Sequence, residues 1–392
     1  MTDPGSDGGR AQVVGTDDSG GQQAAGTATG PVDWSVARRT ALAVAARQQP
    51  LPGYVRKAME ADFAELTAEA EALVEEETGL RSLAGPARAR VTDRQGWVEA
   101  NVASFRRLLE PLAVKMARAG QAGRMPPAVS RTASGAQIGL LLGWLSSRVL
   151  GQYDQLLVED DHPEDQDLVY YVGTNVAAIE RKYDFPPREF RLWISLHEVT
   201  HRAQFTGVPW MRPYFLSLLS GTVEGFDPDP HRLLIALRRS VEGLRAGVNP
   251  LDEGGLMSLL ATPEQAEVLR KVGGLMSLLE GHGDVTMDRA GADRIPNAAR
   301  FSAVLSQRRQ QRGAAKVVSS LIGLDAKMRQ YEQGERFIEA VEHAGGRDLL
   351  DRVWRGPQWL PDWAEIRQPG RWIERTAKLL SASEIGPAPG AA

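Results

Sequence analysis

Residues 191–205 read R-L-W-I-S-L-H-E-V-T-H-R-A-Q-F, and the pattern predicts a helix from about 188 to 205 with apolar side chains on nearly every face. Such a helix belongs in a core. Pro186 and Pro187 suit its start, and Gly207 with Pro209 suits its end. Inside it, His197-Glu198-Val199-Thr200-His201 spells H-E-x-x-H. Four residues apart on a helix, the two histidines share a face, so both imidazoles reach one metal. Glu198 projects beside them as a candidate general base. Zinc held by neutral nitrogens lowers the pKa of a bound water to about 7, and a nearby carboxylate then takes its proton during attack on a carbonyl. With six histidines in the chain, chance gives this motif an expected count on the order of 0.01. The bland alternative, two structural histidines in a core, leaves buried imidazoles to be satisfied, which a metal does.

A catalytic zinc normally takes three protein ligands and keeps one position for water. The leading third ligand lies in L-M-S-L-L-E-G-H-G-D-V-T-M-D, where Glu280 and Asp284 are four apart and share a helical face. Glu280 would bind the metal, and Asp284 would accept from the far nitrogen of a ligand histidine, fixing its tautomer. The E-x-x-x-D spacing resembles that of thermolysin-like peptidases, in which a glutamate on a second helix completes the site. That glutamate usually follows sooner than Glu280 follows His201, so a helical insertion is expected between them. His282 competes as the third ligand, imidazole being the commonest metal ligand, but it falls on a different helical face from Glu280. The pattern H-E-x-x-H-x-x-G-x-x-H is absent after His201. Glycines flank His282, which weakens a helix or marks a close backbone approach.

The stretches L-H-E-V-T-H-R-A-Q-F-T-G-V-P-W-M-R-P-Y (196–214), L-L-E-G-H-G-D-V-T-M-D (278–288) and I-G-L-D-A-K-M-R-Q-Y-E-Q-G (322–334) together resemble an actinobacterial family of zincin-like metallopeptidases or hydrolases. Its members are often labelled as associated with biosynthesis of a deazaflavin coenzyme. The resemblance runs from about Trp34 to about Leu380 and implies a zinc-dependent hydrolase fold. It implies little about substrate, and no residue of the chain points to coenzyme synthesis.

At 392 residues the chain can bury a sizeable core, in one domain or two lobes spanning 33–382. The net charge of -4 argues against broad nucleic-acid binding. With no cysteine, a metal here must be held by nitrogen and oxygen. Residues 1–32 are rich in Gly, Ser, Thr and Asp and 383–392 in Ala, Gly and Pro; both are expected to be disordered or flexible tails. The start lacks a secretory pattern, and the most apolar run, Ile138 to Leu150, is too short for a bilayer and contains Arg148. A cytoplasmic protein that binds no membrane is expected.

The fold class expected is mainly α, a zincin-like helical metallohydrolase with at most a small β element. Helical periodicity covers Asp33–Arg47, Tyr54–Thr78, Gly96–Arg118, Ser134–Tyr153, Pro213–Thr222 and Pro230–Ala246. Thr262-Pro263-Glu264-Gln265 has the form of a capping box opening the third-ligand helix, about 263–284. Further helices follow Ile295. Leu168 to Gly173 is the main strand candidate. As an edge strand it could pair with a peptide substrate, but a short buried strand fits better with so little strand elsewhere. The heptapeptide G-G-L-M-S-L-L occurs at 254–260 and 273–279 and reads as core packing. The acidic run from Glu159 to Asp167 reads as a solvated loop rather than a calcium site.

These observations lead to a zinc hydrolase acting on a peptide or amide bond, with His197, His201 and Glu280 as ligands and Glu198 as base. The alternative is a zincin-derived protein that binds metal or a partner without turnover.

Overall fold

The computed structural model describes residues 32–109, 128–153, 167–224, 263–309 and 324–384. Those residues form twelve α-helices and one three-stranded sheet: α1 (Trp34–Ala45), α2 (Gly53–Thr78), β1 (Arg88–Thr92), α3 (Arg94–Leu108), α4 (Ala128–Ser146), β2 (Gly151–Tyr153), β3 (Leu168–Val172), α5 (Gly173–Tyr183), α6 (Pro187–Thr206), α7 (Met211–Glu224), α8 (Pro263–Gly291), α9 (Ala298–Arg309), α10 (Leu324–Leu350), α11 (Trp363–Arg367) and α12 (Pro369–Glu384). The mainly helical class and the small β element are as the sequence implies. None of the described helices is long and apolar enough to cross a membrane.

The central helix is α6. Its turns present apolar side chains all round, so it is buried by α2 on one side and α8 on another, with β2, α7 and α9 also against it. Pro187 occupies its first turn, where a missing N–H costs nothing, and Gly207 caps its end. Helix α2 meets it with Met59, Phe63, Leu66, Ala70 and Val74, a stripe at spacings of three and four, all at most 1% exposed. Burial of each larger side chain in that stripe contributes about 1.5–3 kcal/mol. Helix α2 stops at Gly79, whose φ of 67° is the left-handed cap that lacks a Cβ penalty.

Helix α8 passes α6 and is crossed by α10. A Cβ on Gly281 would lie 2.4 Å from the Gly334 carbonyl carbon, so that crossing brings two backbones into contact immediately after Glu280. A Cβ on Gly283 would touch the His201 Cε1 at 3.4 Å and the His197 Cε1 at 3.7 Å. The two glycines around His282 therefore make room for a neighbouring helix and for two imidazole rings. Helix α7 supplies part of the insertion between His201 and Glu280; Pro230–Ala246 and the first G-G-L-M-S-L-L copy lie outside the described residues. The second copy packs as expected, with Leu275, Leu278 and Leu279 buried.

The sheet has the order β1-β3-β2, parallel between β1 and β3 and antiparallel between β2 and β3. Every residue of β3 is buried. Leu168–Val172 is thus the central strand, and the buried reading holds over the substrate-pairing one. Two expectations need correction. Ser134–Tyr153 is not one helix: α4 ends at Ser146, and Gly151–Tyr153 is strand β2, because cross-strand pairing with Val169–Tyr171 outweighs local preference for helix. Asp167, the last residue of the acidic run, is no solvated loop residue but an ion-pair partner of the buried Arg202. The rest of that run lies outside the described residues.

Candidate metal centre

A helix buried on all faces must partner each of its polar side chains. On α6, Arg191 donates through Nε and Nη2 to both oxygens of Glu180, at 2.7 and 2.9 Å, and also meets Asp62. Arg202, 1% exposed, bonds Asp167 at 2.5 Å, Glu71 at 2.5 Å and the Gly85 carbonyl at 2.7 Å. The third polar face carries the H-E-x-x-H residues.

His197 and His201 stand one turn apart, their Nε2 atoms 3.3 Å from each other. Glu280, projecting from α8, brings Oε2 to 3.5 Å from the Nε2 of His201 and 3.9 Å from that of His197. One nitrogen or oxygen from each of the three thus lies within 4.8 Å of the others. A tetrahedral zinc with bonds of about 2.0–2.1 Å sets its ligand atoms about 3.3–3.5 Å apart, so the nitrogen-nitrogen-oxygen set fits the ion with little adjustment. The His197 and Asp284 side chains are each 22% exposed, against 7% for Glu280.

Burial works against protonation of His201, but the hydrogen bond and charge of Glu280, with help from Glu198 and Gln204, outweigh it and push its pKa up to about 9. The site is a negative well that takes up a proton when no metal competes for it. Asp284 lies one turn beyond Glu280, with Oδ1 3.6 Å from the Nδ1 of His197. His282 lies outside the cluster. Its Nδ1 is 3.0 Å from the Gln204 Nε2, its ring meets Trp354 edge-on, and burial pushes its pKa down to about 3, so it stays neutral.

Glu198 is buried against β2. Its Oε2 accepts from the Tyr153 backbone N–H at 3.0 Å. A Cβ on Gly151 would lie 2.6 Å from the Glu198 Cγ and 2.8 Å from its Oε1, so glycine at this strand position makes the room the carboxylate fills. The Tyr153 hydroxyl donates to Asp167 at 3.0 Å, and Asp167 in turn holds Arg202. The carboxylate beside the histidines is thereby tied to the ion-pair cluster behind them.

Gly151, Tyr153, Asp167 and Gln204 contribute to this arrangement without a signal of their own in the sequence reading. Gln204 could have been noticed, since it lies three residues after His201 on the same helix. Nothing local marks Tyr153, which reaches the site only through the sheet. Trp210 and Tyr214, just beyond α6, meet edge-on, and the Trp210 indole donates to the Trp354 carbonyl at 2.9 Å.

A buried His-His-Glu set shared by two helices, with a glutamate following the first histidine, is the arrangement of a zincin-type metal protein. The chain belongs to the zincin-like metallopeptidase family, whose model matches residues 32–373. It is also similar to a crystal structure from Chloroflexus aurantiacus described as "a putative hydrolase with a novel fold", at 33% identity and a TM-score of 0.65, covering 88% of this chain and 99% of the other. No curated protein matches.

Proposed function

We propose that the protein is a zinc-dependent hydrolase that cleaves a peptide or amide bond. The observation that carries this reading is the convergence of His197, His201 and Glu280 on one point, with Glu198 on the next residue of the same helix and held by a strand. His197 and His201 would contribute Nε2 and Glu280 would contribute Oε2. Zinc at that point supplies Lewis acidity, polarising a carbonyl and acidifying water.

Glu198 moves the protons. Its Oε2 is anchored by the Tyr153 N–H, so the carboxylate keeps one orientation from which it would take a proton from the attacking water and return it to the leaving nitrogen. Asp284, 3.6 Å from the His197 Nδ1, places a negative charge behind that imidazole, and a small closing movement would let it accept from Nδ1–H and leave the Nε2 lone pair for the metal.

The test is elemental analysis of purified protein together with a peptide-library cleavage assay, on the wild type and on Glu198→Gln and His201→Ala. The wild type should carry one zinc and cleave. His201→Ala should lose the metal, and Glu198→Gln should keep it and lose turnover. A wild type that takes up no zinc even after reconstitution overturns the reading. Zinc retained with no cleavage by the wild type leaves a metal-binding protein without turnover.

A further inference from the structure

The two histidines of the cluster have different partners behind them. His197 turns Nδ1 toward a carboxylate, Asp284. His201 turns Nδ1 toward a neutral amide, with the Gln204 Oε1 at 3.0 Å. The orientation of that amide is dictated by its surroundings. Its Nε2 lies 3.0 Å from the Leu279 carbonyl oxygen, which can only accept, so the atom there must be the nitrogen. Its second hydrogen faces the Nδ1 of His282, also at 3.0 Å. With both hydrogens spoken for, the amide presents oxygen to His201. An oxygen there requires Nδ1–H on the imidazole, so a metal that displaces the ring's other proton finds the lone pair on Nε2, the atom facing His197 and Glu280.

We propose that Gln204 is a positioning residue for the metal, and that His282, bound to its amide, acts through it. This rests on the proposed zinc site. Gln204 is fully buried and bridges α6 to α8. One carboxamide therefore sets the tautomer of a histidine on its own helix. It also fixes that helix against the backbone carbonyl next to Glu280, the third member of the cluster. The role of His282 differs from that of a ligand: it is the acceptor that stops the amide from turning over. A neutral amide suits this place, because a carboxylate at 204 could accept from His201 but would point an oxygen at the Leu279 carbonyl.

The experiment compares zinc affinity, measured by competition with a chromogenic chelator, in full-length wild type, Gln204→Met, His282→Leu and His282→Asn. Methionine keeps the length and volume of glutamine without its hydrogen bonds. Zinc affinity should fall about 10- to 100-fold in Gln204→Met. It should fall less in His282→Leu and recover in His282→Asn, whose side-chain oxygen can replace the Nδ1 acceptor. In zinc-loaded wild type, nitrogen-15 spectra should show His201 carrying its proton on Nδ1, and that proton should exchange faster with solvent in Gln204→Met. A wild type that binds no zinc overturns the metal site and this inference with it. A wild type that binds zinc with affinity unchanged in Gln204→Met overturns this inference alone. Should Gln204→Met fail to fold, the His282 pair decides: equal affinities in leucine and asparagine variants overturn the role of the amide lock.

Discussion

Two faces of α6 bury charge in opposite ways. On one, Arg202 meets Asp167, Glu71 and a backbone carbonyl, so cation and anions are both supplied by the chain. On the other, Glu198, Glu280 and Asp284 surround two imidazoles. The first face is complete as folded and holds strands to helices. The second is rich in carboxylate, which raises the pKa of His201 and favours a proton there or the metal proposed above. A buried ion pair is therefore no sign of function by itself, whereas a buried set of donors with excess negative charge is a site with room for a cation.

The largest expected effect breaks the complete face. Arg202→Met leaves Asp167 and Glu71 without their buried cation and should cost about 3–5 kcal/mol, read from urea unfolding of the metal-free protein. A loss below about 1 kcal/mol would show that water already screens the cluster. Next comes Gly151→Ala, whose new methyl must push the Glu198 side chain aside. Turnover should fall about 100-fold with zinc affinity unchanged; equal losses in both would mean that β2 positions the ligands as much as the base.

The incomplete face makes a pH prediction for the metal-free protein. The folded pKa of His201, about 9, lies above its unfolded value, so its contribution to stability is fully present below about pH 6.5 and is lost as pH rises toward 9. Metal-free protein should weaken over that window by up to about 1.4 kcal/mol per pH unit, and Glu280→Gln should flatten the slope. Zinc uptake should release a proton over the same range, visible in calorimetry in buffers of different ionisation enthalpy. The smallest effect calibrates the rest. Arg38 and Glu99 form a 2.5 Å pair but are 53% and 42% exposed, so Arg38→Ala should leave the urea midpoint nearly unmoved and zinc binding untouched.

Much of the site is legible in the chain because its key spacings are local. His197 and His201 are separated by four residues, as are Glu280 and Asp284, and a helix turns each separation into a shared face whatever surrounds it. The all-apolar flanks of 191–205 mark the same helix as buried. The choice between Glu280 and His282 was open in sequence, and the packing of α8 on α6 turns Glu280 toward the histidines and His282 toward Gln204. The strand at 151–153 is not legible locally for a related reason: three residues have no periodicity of their own, and only the partner strand makes them extended.

By itself the sequence determined the two helices, the buried character of α6, and a set of nitrogen and oxygen donors that a metal could use with a carboxylate at hand. Those properties follow from side-chain types and from a helical repeat that is the same in every protein. Tertiary structure alone decided that Tyr153 holds Glu198, that Asp167 leaves the acidic run to pair with Arg202, and that Gln204 links His201 to His282. Each of these contacts spans 35 to 78 residues of chain except the one from Gln204 to His201. Contacts of such separation are set by which surfaces pack together, and no local preference encodes them.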